Sequence, residues 1–136
     1  MTSSLQLGPL GQVSLLTTDT ARAEAFYGDV LGLPHVFTFG DLSFYWAGDV
    51  RIYLHRVPDK EWRPGSVLYF LVPDIDAAHA ELQSRGAKFA GAPHMIFRDD
   101  TSGVEEWMAF FEDTEGNTLA IMARVPAAAG APTTQQ

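Results

Sequence analysis

The order strand, helix, three strands occurs twice in this chain, and that duplication constrains its fold more than any single motif does. Gln12–Thr17 reads as a strand, and Asp19 is placed to cap the helix that follows. Over residues 20–31, Ala23, Phe26, Tyr27, Val30 and Leu31 recur at intervals of three and four, the stripe of an amphipathic helix. Gly32 sits at the C-cap position and Pro34 follows. Residues 36–39, 42–47 and 50–55 are then strand-like runs, separated by Gly40-Asp41 and Gly48-Asp49. A polar connector covers 57–65, and the pattern restarts. Residues 67–72 read as a strand. Asp74 or Asp76 can cap a second helix that ends at Gly86, with Ile75, Ala78 and Leu82 along one side. Candidate strands follow at 88–90, 94–97, 106–111 and 118–123, the last two joined by the turn Asp113-Thr114-Glu115-Gly116-Asn117.

Composition excludes several classes of function. Seventeen acidic against nine basic residues leave a formal charge of −8. That excess disfavours a nucleic-acid partner or an anionic membrane surface. With no cysteine there are no disulfides, thiolate metal sites or cysteine nucleophiles. No apolar run approaches the roughly 20 residues that span a bilayer. Residues 1–6 show no basic region followed by an apolar run, so no secretory signal is read and a cytoplasmic location is expected. The motifs G-x-S-x-G and H-E-x-x-H are missing, and no glycine loop suited to phosphate is found. The tail 126–136 has no apolar pattern and is expected to be disordered.

Within this duplicated order, Asp19, the run Ala25-Phe26-Tyr27 and Asp29-Val30-Leu31-Gly32 follow the first strand, and Phe110-Phe111-Glu112-Asp113 with Gly116-Asn117 precede the last. This punctuation resembles the vicinal oxygen chelate superfamily of glyoxalase I, bleomycin-resistance proteins and extradiol dioxygenases, over roughly residues 10–125. The resemblance implies an α+β fold: two βαβββ modules whose curved mixed sheets form a cup. The first module would span 8–57, the connector 58–65 and the second module 66–125, in one structural domain overall. Period-2 alternation then sorts the side chains. Val13, Leu15, Ile52, Leu54, Leu68, Phe70, Leu119 and Ile121 suit the helix side. Gln12, Ser14, Leu16, Arg51, Tyr53, His55, Val67, Tyr69, Leu71, Thr118, Ala120 and Met122 face the cup. Sixteen aromatics, nine Phe, four Tyr and three Trp, need placing. Phe26, Tyr27, Phe70 and Phe110 are expected in two separate helix–sheet cores, and Tyr53, Tyr69, Trp107 and Tyr45 in the cup.

Metal-using members of this superfamily draw His, Glu or Gln ligands from one position on the first and last strand of each module, to chelate vicinal substrate oxygens. Carried over, those positions are Gln12, Tyr53, Val67 and Ala120. Gln12 is the one plausible ligand among them. Tyr53 is a poor ligand while its phenol is protonated. Val67 and Ala120 offer no side-chain donor. A shift of two residues gives Ser14, His55, Tyr69 and Met122, again a poor set. A scattered divalent site built from Gln12, His55, His94 and Glu105 or Glu106 stays open.

For each residue a bland reading stands beside the functional one. Gln12 is either a ligand-binding amide on the cup floor or a satisfied strand end. Tyr53 either bonds a ligand or fills the cup. His55 is either a site residue or an exposed strand end. His94 with Glu106 is the candidate acid–base pair. The ligand-binding set is expected to be Gln12, Ser14, Tyr53, His55, Val67, Tyr69, Trp107, Ala120 and Met122. The function expected is a glyoxalase/bleomycin-resistance-like protein, metal-free and without cofactor, that binds a small apolar or aromatic molecule and forms a homodimer. The alternative is a metal-dependent or acid–base lyase/isomerase of the glyoxalase type, or a dioxygenase, so whether the chain is an enzyme stays open.

Overall fold

A computed structural model describes residues 5–126 of the chain. The expected disorder of the tail concerns 127–136, which lie outside the described residues, together with Pro126, which follows the last strand.

The first module runs β1 (Gln12–Thr17), α1 (Thr20–Glu24), a π-helical turn (Ala25–Val30), β2 (His35–Phe39), β3 (Leu42–Ala47) and β4 (Val50–Arg56). Asp19 caps α1 as its spacing requires, its carboxylate accepting from the Arg22 amide at 3.0 Å. The helix expected over 20–31 does not stay α-helical. From Ala25 its turns widen, and the Leu31 amide donates to the Phe26 carbonyl five residues back. Gly28 lies in this turn where an added Cβ would stand 3.4 Å from the Tyr45 hydroxyl. Gly32, at φ +72°, supplies the left-handed residue that ends the segment.

The second module runs β5 (Leu68–Leu71), α2 (Ile75–Ser84), β6 (Lys88–Phe89), β7 (His94–Arg98), β8 (Glu105–Glu112) and β9 (Thr118–Val125). Asp74 caps α2 through the Ala77 amide. The first sheet has the order β1-β4-β3-β2, with β1 and β4 parallel. The second has the order β5-β9-β8-β6, with β5 and β9 parallel and β7 also on β8. The duplication extends to irregularities: β2 bulges between His35 and Phe37, and β7 bulges between Met95 and Phe97.

The two modules share one core rather than building two. Leu15, Phe26, Tyr27, Tyr45, Ile52 and Leu54 of the first belong to the same buried cluster as Ile75, Ala109, Phe111, Leu119 and Ile121 of the second. Phe26 packs on Phe111, their ring centroids 6.4 Å apart, and Phe111 packs on Phe89. This corrects the expectation of separate helix–sheet cores. Period-2 alternation shows which face of a strand is buried, but not what the buried face meets.

A buried polar clamp crosses the same boundary. The Tyr27 hydroxyl donates to Asp113 Oδ2 at 2.6 Å. Asp113 also accepts from the Asn117 side-chain amide and from the backbone amides of Glu115 and Asn117. Glu115 in turn accepts from Arg22 Nη2 at 2.7 Å, Arg22 Nε at 2.9 Å and the Thr17 hydroxyl at 2.6 Å. Burial, reinforced by the Asp113 carboxylate, pushes the Tyr27 phenol far above its usual range, so it remains a donor. Burial alone would raise the Glu115 carboxyl. The bonds from Arg22, Thr114 and Thr17 outweigh that effect and hold it below its ordinary value of 4.5.

The connector is fixed as well. The indole N–H of Trp62 donates to the Leu16 carbonyl, and the Gly65 amide donates to Asn117 Oδ1. An added Cβ at Gly65 would stand 2.6 Å from a Leu15 methyl, so any larger residue would have to displace that buried side chain.

Two consequences are measurable. Tyr27→Phe removes a donor from a buried carboxylate and is expected to cost about 1–3 kcal/mol in denaturant unfolding. Asp113→Ala, which strips acceptors from Tyr27, Asn117 and two amides, should cost more. Because the folded state lowers the pKa of Glu115, the unfolded state takes up its proton first as the medium is acidified. The contribution of Glu115 is therefore complete above about pH 4.5 and is lost as pH falls through that range. In urea unfolding followed from pH 7 to pH 3, Glu115→Gln should flatten the acid limb and lower stability at pH 7.

Candidate functional site

The face of the first sheet opposite the core carries three registered rows. In the first, Gln12 on β1 lies beside Arg51 on β4, which lies beside Trp46 on β3. In the second, Ser14, Tyr53, Phe44 and Phe37 follow one another across β1, β4, β3 and β2. In the third, Leu16, His55, Leu42 and Phe39 do the same. The expected cup residues Gln12, Ser14, Tyr53 and His55 therefore share one surface.

Aromatic stacking runs along the second row and on to the third. Phe37 stacks on Phe44 with centroids 4.5 Å apart, Phe44 on Tyr53 at 5.0 Å, and Tyr53 on His55 at 5.6 Å. Interplanar angles of 26°, 12° and 20° make this a continuous stack. Arg51 lies against it, its guanidinium carbon 4.8 Å from the Phe44 centroid. Gln12 Oε1 accepts from Arg51 Nε at 3.0 Å and from Nη2 at 2.8 Å. Phe37, Phe44 and Trp46 were missed as site residues. Each follows from extending the register of β4 through β3 into β2, once the bulge near His35 is known.

On the second sheet, Tyr69 pairs with Ala120 and Leu71 with Met122. Ala120 pairs onward with Phe110, and Met122 with Met108, which pairs with His94. Val67 precedes β5 and, with Tyr69, Val13 and Val50, lines a cleft of about 670 Å³ between the two modules. Val67, Tyr69, Ala120 and Met122 are thus gathered on or beside this sheet.

Three aromatic placements need correcting. Trp107 pairs with Ala123 and packs against the core, its indole N–H donating to Glu105. It is on the opposite face from Ala120 and Met122 and does not wall the cup. Phe110 takes the cup side instead, edge-on to Tyr69 at 6.0 Å. The parity of β8 is set from its far end by buried Phe111 and Ala109, and counting back from them puts Trp107 inward. Tyr45 is buried beside Tyr27 rather than in the cup, and its hydroxyl donates to the Glu24 carbonyl.

The candidate acid–base residues are engaged separately. His94 is exposed, with Nδ1 3.3 Å from the Ala92 carbonyl. Glu106 faces Arg124 at 3.5 Å, and Glu105 lies 3.9 Å from Arg98. At the four superfamily metal positions, Gln12 already accepts from Arg51, Tyr53 is stacked between Phe44 and His55, and Val67 and Ala120 present hydrocarbon. Among the described residues, no group of three or more His, Asp or Glu is placed to hold an ion. The donor set at these positions does not fit the metal that the resemblance implies. Among the described residues, no helix is long and apolar enough to cross a membrane.

Comparison with known proteins adds relatives. The family described as Glyoxalase/Bleomycin resistance protein/Dioxygenase superfamily matches residues 10–121. The uncharacterized protein YaeR of Escherichia coli is 28% identical over 131 residues, covering 86% of this chain and 97% of that protein. Among solved structures, a virulence protein of Salmonella typhimurium superposes with a TM-score of 0.71 at 22% identity, covering 89% of this chain and all of that one (100%). A lactoylglutathione lyase of Agrobacterium tumefaciens superposes at 0.66 with 20% identity, covering 87% and 95%. At these identities the structural likeness is one of fold.

Proposed function

The chain belongs to the glyoxalase/bleomycin resistance protein/dioxygenase superfamily, and within it we propose that this protein is a metal-free, cytoplasmic binder of a small apolar or aromatic molecule. The observation that carries this reading is the stack Phe37–Phe44–Tyr53–His55, which runs through one of the positions where metal-using relatives keep a ligand. Stacked rings with Trp46 beside them offer broad apolar contact to a planar guest, and burial of its surface would supply most of the affinity. Gln12, Ser14 and the Tyr53 hydroxyl would set its orientation. A lyase reading needs either an ion or a base next to a substrate proton. Val67 and Ala120 remove two ion ligands, and Glu106 faces Arg124.

The assembly proposed is a homodimer. Because the helix-facing sides of both sheets are used in one core, their other faces look outward from it. Those faces leave large apolar side chains in water: Phe39 is 73% exposed, Leu71 61%, Tyr69 47% and Trp46 40%. A second copy would supply the facing wall of each cup and cover these residues.

Metal analysis of protein produced with Ni, Zn, Fe and Mn available should find well under one ion per chain. A stoichiometric ion, or turnover of the methylglyoxal–glutathione hemithioacetal well above background, would overturn the metal-free binding reading. Sedimentation at micromolar concentration should give twice the chain mass. Leu71→Asp should shift the species toward monomer, and a monomeric native protein would remove the dimer.

A further inference from the structure

Among the described residues, five of the chain's seven arginines lie in ion pairs with carboxylates, and Arg51 and Arg63 are not among them. Arg22 pairs with Glu115, Arg56 with Asp41, Arg85 with Glu81, Arg98 with Glu105 and Arg124 with Glu106. Arg51 is held instead by two neutral groups, the Gln12 amide oxygen and the Phe44 ring. Neither cancels its charge. Both restrict its motion: Gln12 Oε1 accepts from one edge of the fork, and the aromatic ring supports its plane. Among the described residues, no carboxylate is paired with the remaining guanidinium N–H groups, chiefly those of Nη1. They sit in the same registered row as Trp46 and next to the row of Phe44 and Tyr53.

A chain of formal charge −8 repels anions at long range. A carboxylate placed beside Arg51 would neutralise the guanidinium and make the cup indifferent to charge. With Gln12 there, the full positive charge remains next to a low-dielectric aromatic surface, where a charge-assisted hydrogen bond counts for most. The hydrophobic stack and the cation are arranged to act on one molecule, the stack on its plane and the cation on its edge.

Resting on the reading of this face as a ligand cup, we propose that Arg51 is its anion-binding group and that the ligand class is aromatic carboxylates. In this arrangement the guest ring lies along Trp46 and the Phe44–Tyr53 stack, its carboxylate accepts from the free edge of the guanidinium, and Gln12 holds the fork in place. Gln12 is a positioning residue here. The cation occupies the β1–β4 surface on which metal-using relatives keep half of their ligands, and supplies the positive charge without an ion.

The test is calorimetric titration of the full chain with 2-naphthoate and with its uncharged isostere 2-naphthamide. The wild-type protein is expected to bind the carboxylate about tenfold or more tightly than the amide. Arg51→Met should abolish that preference, weakening carboxylate binding about tenfold more than amide binding. Arg51→Lys should keep part of the preference, because it retains charge without the fork. Gln12→Met should weaken carboxylate binding several-fold more than it weakens amide binding. Arg85→Met, on the far helix, should behave as wild type, and thermal unfolding of each variant reports its folding. Equal wild-type affinities, or a preference that survives Arg51→Met, would overturn the assignment and leave the cup reading standing. Failure of both probes to bind the wild-type protein would overturn the cup reading and this inference with it.

Discussion

The carboxylate of Asp113 is the point on which the two halves of the molecule depend. An ionised carboxylate taken out of water must recover its lost hydration from other donors, and here these come from both modules at once. Tyr27 reaches it from the first, while Asn117 and two backbone amides reach it from the second. Two residues on, Glu115 repeats the arrangement with Arg22 and Thr17. A tight turn on the second module thus becomes the socket for the helix of the first. The aromatic contacts Phe26–Phe111 and Phe111–Phe89 form the dry part of the same joint. With the helix faces committed to each other, the opposite faces of both sheets are left for function.

Much of this fold was legible in the sequence. The limits of β1 and β3 match their apolar runs, Asp19 caps the first helix as read, and of the two candidates for the second helix it is Asp74 that caps it. Alternation sorted β1, β4, β5 and β9 correctly because each opens from a recognisable turn that fixes which residue is first inward. It failed on β8, whose start after a long irregular segment gives no such anchor. Trp107 and Phe110 were exchanged as a result. It failed again on β3, where Ser43, Phe44 and Tyr45 are buried in succession, so that polarity does not alternate. The π-helical turn left no trace in the spacing, and neither did the choice of one shared core. Both are decided by contacts between residues far apart in the chain.

At the site, the residues of β1 and β4 were readable because a parallel pair in register keeps parity from one strand to the next. What they do was not readable. Gln12 read alone is a potential ligand, whereas beside Arg51 its oxygen is already occupied. Phe44 and Phe37 gain meaning from lying in line with Tyr53 across strands that are separate in sequence. Side-chain chemistry can be listed from a sequence, but the partners that consume or leave free its donors and acceptors are set by register.

The connector between the modules has a further effect. By placing Trp62 against the Leu16 carbonyl and Gly65 against Leu15, it runs along the side of β1 that is not hydrogen-bonded to β4. A bare strand edge there would be a template for any passing extended chain. The linker therefore also serves as a selvedge, finishing a border that would otherwise fray into aggregation.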